Sequence, residues 1–97
     1  MNTNEMLVLK NEILNEVSEM LSTKIVEYNH PNDAFSAYSS GTDIGIGPLQ
    51  AVVGRMLEKQ ARLNAHIDRD LEIPEDIFLD IIGGCVNAIA MLRDGIK

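Results

Sequence analysis

The stretch from Pro48 to Arg69, PLQAVVGRMLEKQARLNAHIDR, decides the fold class. Its apolar residues Leu49, Val52, Val53, Met56, Leu63 and Ile67 recur at the three- and four-residue spacing of an amphipathic helix. Pro48 suits the first helical position, where its missing amide hydrogen has no helical partner to lose. On the same helix Arg55, Lys59, Arg62, His66 and Arg69 follow at spacings of four, three, four and three. At about 100° per residue they fall within a wedge of about 80°, centred about 100° from the middle of the apolar face. A basic strip therefore runs along the rim of the buried surface rather than on the far, solvated side.

Two further helices flank this one. Residues 3–28 carry Met6, Leu9, Ile13, Val17, Leu21 and Ile25 at helical spacing, and Asn2 followed by Glu5 has the form of an N-terminal cap with its acid. His30-Pro31 ends that helix, because proline disfavours helical geometry in the residue before it. A third helix is predicted from Pro74 to about Arg93, with Glu75 and Asp76 in its first turn, where carboxylates meet the helix dipole favourably. Between them, residues 29–47 are irregular: Asn32 or Asp33 can cap a short turn through Tyr38, and Gly41 to Gly47 reads as a flexible connector. The prediction is an all-α fold, residues 1–97 forming one small bundle of three main helices plus one short one.

A chain of 97 residues supports one modest core. With 45% hydrophobic residues, 4% aromatics and no Trp, that core is built from aliphatic side chains and Met. The formal charge of −7 opposes nonspecific binding to nucleic acid, although a local basic patch can still take a small anion. The single cysteine, Cys85, precludes an intramolecular disulfide; its apolar surroundings, Ile81-Ile82-Gly83-Gly84-Cys85-Val86, predict a buried, inert thiol. The N-terminus lacks the basic region of a signal peptide, and the stretch Ile77–Leu92 is short for a membrane span and interrupted by Asp80 and Asn87. A cytoplasmic location without membrane partners is the expectation.

Three polar constellations stand out. Arg55, Lys59 and Arg62 concentrate positive charge beside the core, and arginine can grip a phosphate with two donors at once. The same strip also fits a solvated face or a docking surface for the acidic first helix. On that first helix Glu12, Glu16 and Glu19 share one side; Glu16 and Glu19 can hold Mg2+ or simply face water. Lys24 sits on the apolar side of its helix, near the end. The third helix is apolar almost all round, which predicts burial, and its polar side chains Asp76, Asp80 and Asn87 share one face with Gly83. That seam is either a strip facing solvent or the lining of a site. Gly83-Gly84 weakens the helix by roughly 1 kcal/mol per glycine and implies the close approach of another helix, including one from a second subunit. So much apolar surface on a short chain predicts a homo-oligomer. No Ser/His/Asp signature, HExxH helix, phosphate-cradling lysine loop or dinucleotide fingerprint is present.

The order Lys24, Tyr28, Phe35, Tyr38, Lys59-Gln60-Ala61-Arg62-Leu63, Glu75-Asp76 and Asp80-Ile81 resembles the nucleotide-modification-associated helical proteins of phages and bacteria. The similarity covers roughly residues 20–92. Glu27-Tyr28-Asn29 stands where that family has an aspartate-tyrosine-glycine turn, and the doubled-glutamate helix of MazG-like enzymes is reduced to Glu16-x-x-Glu19. The resemblance implies an all-α bundle distantly related to MazG-like nucleoside triphosphate pyrophosphohydrolases, and a phage setting. It implies a nucleotide or nucleotide-derived ligand held by Lys24, Tyr28, Lys59, Arg62, Asp76 and Asp80, to which the basic strip adds Arg55 and the polar seam of the third helix Asn87, with Mg2+ as the companion ion of any hydrolysis. Two other functions fit the same residues: a non-catalytic viral sponge for a signalling nucleotide of host defence, and a helical protein-protein interaction module.

Overall fold

A computed structural model describes residues 1–96. Three α-helices dominate it: α1, Thr3–Tyr28; α2, Pro48–Asp68; and α3, Glu75–Arg93. Two 3-10 turns, Ser36–Tyr38 and Thr42–Ile44, lie between α1 and α2, and there is no β-strand among the described residues. The all-α prediction holds. The connector of residues 41–47 contains the second of these turns, which closes on Gly45, whose φ of +84° suits a residue without a Cβ.

The helix ends follow from particular residues. Asn2 Oδ1 accepts from the Glu5 N–H at 2.8 Å, while the Asn2 side-chain amide donates to Glu5 Oε1 at 3.0 Å. The reciprocal bond thus reaches the Asn2 side chain rather than its backbone. Pro48 opens α2, and Pro74 stands one residue outside α3 as its cap. At the end of α2, Asp70 takes a left-handed φ of 53° so that the Leu71 N–H reaches the His66 carbonyl at 2.9 Å. Gly95 does the same for α3, where the Ile96 N–H reaches the Met91 carbonyl.

α3 runs antiparallel to both other helices: Lys24 lies at the level of Asp80 and Leu21 at that of Gly83, while on α2 Lys59 meets Asp80 and Met56 meets Gly84. The α2–α3 pairing is the most extensive. Val17 and Leu21 of α1, Val52 of α2, and Ile77 and Met91 of α3 form the buried core. A Cβ added to Gly83 would stand 3.1 Å from Leu21 Cδ2, and one added to Gly84 would stand 2.7 Å from Met56 Cγ. The two glycines therefore admit α1 and α2 of the same chain, one each.

Two expectations for α3 are corrected. Cys85 is exposed, not buried. The helix as a whole is also only half covered, with Phe78, Val86, Ile89 and Leu92 open to solvent. The reason is geometric. α1 and α2 both pack on the side carrying Ile77, Gly83, Gly84 and Met91, and a single chain has no further helix for the other side.

Candidate functional site

The end of α1 is fastened to the following loop by one side chain. Asn29, the C-cap of α1, donates from its amide to the Ile25 carbonyl at 3.1 Å and accepts from the Ala37 N–H at 2.8 Å. Ser36 Oγ accepts from the His30 N–H at 2.8 Å, and Asp33 Oδ1 accepts from the Phe35 N–H at 2.9 Å. Asp33 thereby supplies the turn-forming bond. Together these bonds hold Tyr38 above the other helices.

Tyr38 then ties α2 to α3. The Arg55 guanidinium stacks on its ring, 4.7 Å from the centroid, in a cation–π contact. Its hydroxyl oxygen accepts from the Asn87 amide of α3 at 3.0 Å. That hydrogen bond is partly buried and worth about 1 kcal/mol. Tyr38→Phe is therefore expected to lower unfolding free energy by about that amount in urea melts, and an unchanged midpoint would show that the bond adds nothing.

Beside this bridge, two lysines from different helices converge on one carboxylate. Lys59 Nζ lies 3.1 Å from Asp80 Oδ2, and Lys24 Nζ lies 3.7 Å from Asp80 Oδ1. The three side chains are 26–44% exposed, so each pair contributes modestly to stability. These groups line a cleft of about 360 Å³ between α1, the first 3-10 turn, α2 and α3. Its floor is α3 at Asp80, Gly83, Gly84 and Asn87, and its apolar wall includes Met20, Ile25, Val52 and Met56. Three cations, Lys24, Arg55 and Lys59, face two carboxylates, Glu58 and Asp80. The cleft is locally positive in a chain of charge −7.

Six of the eight proposed ligand residues meet here: Lys24, Tyr28, Arg55, Lys59, Asp80 and Asn87. Arg62 and Asp76 do not line the cleft. Arg62 is exposed farther along α2, where its carbonyl lies 2.8 Å from His66 Nδ1, and Asp76 is exposed in the first turn of α3. Glu16 and Glu19 are exposed on α1, away from the cleft lining. Among the described residues no three His, Cys, Asp or Glu side chains come together as a metal site would require. Sequence reasoning missed Asn29, Glu58 and the central place of Tyr38 as site residues. Glu58 was detectable, because it sits at the edge of the basic wedge on α2. Tyr38 lies in a loop, where no periodicity places it.

Family models, curated proteins and solved structures were compared with the chain, and none matches it. No helix among the described residues is long and apolar enough to cross a membrane.

Proposed function

We propose that the cleft binds a nucleotide or another phosphate-bearing small molecule. The observation that carries this reading is the convergence of Lys24 and Lys59 on Asp80, beside Arg55 stacked on Tyr38. Each ammonium has three donors and spends at most one on Asp80, so both retain capacity for an anion. A base or other flat group would rest on the apolar wall of Met20, Ile25 and Met56, and the Asn87 side-chain oxygen is available to a polar edge. The cleft's volume lies at the lower end of the range for small-molecule sites.

Binding without hydrolysis is the favoured form of this reading, as in a sponge for a signalling nucleotide. Among the described residues the carboxylates lining the cleft are Glu58 and Asp80, and Asp80 is engaged by two lysines. Mg2+ would then enter with the ligand's phosphates, not through Glu16 and Glu19.

A panel of nucleoside mono-, di- and triphosphates and cyclic dinucleotides, each with and without Mg2+, tests it by melting temperature and product release. Stabilisation by at least one compound, without turnover, is the expected result. Magnesium-dependent release of pyrophosphate would replace the sponge with a MazG-like hydrolase. No thermal shift with any compound would leave the helical interaction module in its place.

A further inference from the structure

The uncovered side of α3 has its own pattern. Phe78, Ile82, Cys85, Ile89 and Leu92 follow at spacings of four, three, four and three, the seam of a helix that packs against another helix. They fall within a wedge of about 80° lying nearly opposite Asp80, Gly83 and Asn87, which floor the cleft. Phe78, Ile89 and Leu92 are 47%, 49% and 64% exposed, and Ile82 is half-buried. On α2, Val53 and Leu57 lie on the flank turned away from Arg55 and Lys59, and are 45% and 64% exposed. The back of the α2–α3 pair thus carries an apolar patch spanning both helices, bordered on α2 by the exposed Gln60 and Asn64.

The chain's dimensions say how much surface is missing a partner. It exposes 7213 Å², whereas a folded monomer of its 10.7 kDa mass exposes about 5,500 Å². Its radius of gyration is 15.6 Å, against about 12.5 Å for a compact domain of this length. The excess of about 1,700 Å² per chain is shared between this back face and the first half of α1, where residues 3–16 are exposed except Leu9 and Ile13, and a specific interface of standard size needs about 800 Å² of it from each partner.

Charge at the seam's ends selects the occupant and its direction. Glu75 and Arg93 border the seam on the same flank, one at each end of α3. A second copy packed antiparallel about Cys85 sets Phe78 opposite Leu92 of the other copy and brings Glu75 to within about 3 Å along the axis of the level of Arg93, twice, an offset these long side chains can span. In a parallel copy the two-fold axis carries Glu75 and Arg93 of the two chains to opposite flanks of the seam, and neither finds an opposite charge from the other chain. We infer that the chain forms a two-fold homodimer in which the back faces of α2 and α3 pack on their own copies, with α3 antiparallel to α3 and Cys85 near the axis. The two ligand clefts then open on the outside of a four-helix core.

Light scattering after size exclusion, at micromolar to tens of micromolar protein, gives twice the mass of one chain in this arrangement. A short bismaleimide joins the two chains through Cys85, and Cys85→Ser abolishes the joining. Ile89→Glu, at a position already half exposed in the single chain, yields the mass of one chain with helical circular dichroism retained. Glu75→Arg weakens the dimer severalfold, and adding Arg93→Glu restores it, which a parallel seam would not do. A one-chain mass for the unmodified protein overturns the inference. So does a dimer that bismaleimide cannot join, which would place the contact on another face even were Ile89→Glu to misfold. Nucleotide binding is read separately, so loss of either property leaves the other interpretable.

Discussion

Gly84→Val lowers unfolding free energy by about 3 kcal/mol or more. A Cβ at position 84 already stands 2.7 Å from Met56 Cγ and 3.1 Å from its sulfur. Cγ moves only by a change of χ1, whose alternatives are restricted by the preceding turn of the helix, so either Met56 takes a strained rotamer or α2 moves away from α3. The helix-propensity gain over glycine, at most about 1 kcal/mol, cannot offset that displacement. Gly83→Ala is the control. Its nearest neighbour is Leu21 Cδ2 at 3.1 Å, the far end of a flexible side chain, and the propensity gain then roughly cancels the crowding. Since domains of this size are stable by about 5–15 kcal/mol, the valine variant should lose a large share of its stability. Urea melts at one fixed protein concentration measure it, the concentration held constant because any self-association moves the midpoint. A valine variant within 0.5 kcal/mol of the parent would mean that the two helices are not in close contact there.

The same two glycines mark where the sequence is legible and where it is not. Their cost within a helix announces a close neighbour, but nothing in the local pattern says which one; α1 takes the space at Gly83 and α2 the space at Gly84. Helix limits at Asn2, Pro48 and Pro74 are readable because each is fixed by the chemistry of one or two adjacent residues. Cys85 is misread for the opposite reason. Burial depends on how many elements are available to cover a helix, and an apolar run reports an appetite for contact without reporting the number of partners. The site divides along the same line. Arg55 and Lys59 follow from the wedge on α2, and Asp80 and Asn87 from the shared face on α3, because both are single-helix periodicities. Arg62 obeys the same periodicity yet does not line the cleft, since a wheel has no information on where along the axis a cleft ends. Tyr38 depends on the loop bonds of Asn29 and Ser36, which join residues six to eight positions apart in an irregular segment.

Lys59→Ala and Asp80→Asn are expected to move phosphate-ligand affinity in opposite directions. Lys59 is the better-seated cation, 3.1 Å from its partner oxygen and less exposed than Lys24. A hydrogen bond to a charged group is worth about 1.5–3 kcal/mol, so its removal weakens binding by roughly 10- to 150-fold. Lys24→Ala falls in the same direction with a smaller effect, because its ammonium is 3.7 Å away and more solvated. Asp80→Asn removes the one charge that competes with an incoming phosphate for both ammoniums. If the anion sits on Lys24 and Lys59, it then meets two cations no longer neutralised, and binding tightens severalfold in titration calorimetry. The ion pairs given up are partly solvated, so the melting temperature of the free protein changes little. Should Asp80 instead contact a ribose, a base edge or a metal-bound water, Asp80→Asn weakens binding alongside Lys59→Ala. The sign of that one substitution thus assigns Asp80 its role. If affinity rises in Asp80→Asn, the carboxylate that holds the two lysines in the free cleft is an internal stand-in for the ligand's phosphate, and binding is an exchange of one anion for another. In that arrangement added salt weakens the ligand's grip and the Asp80 pairs together, so the salt dependence of affinity is shallower in the parent than in Asp80→Asn.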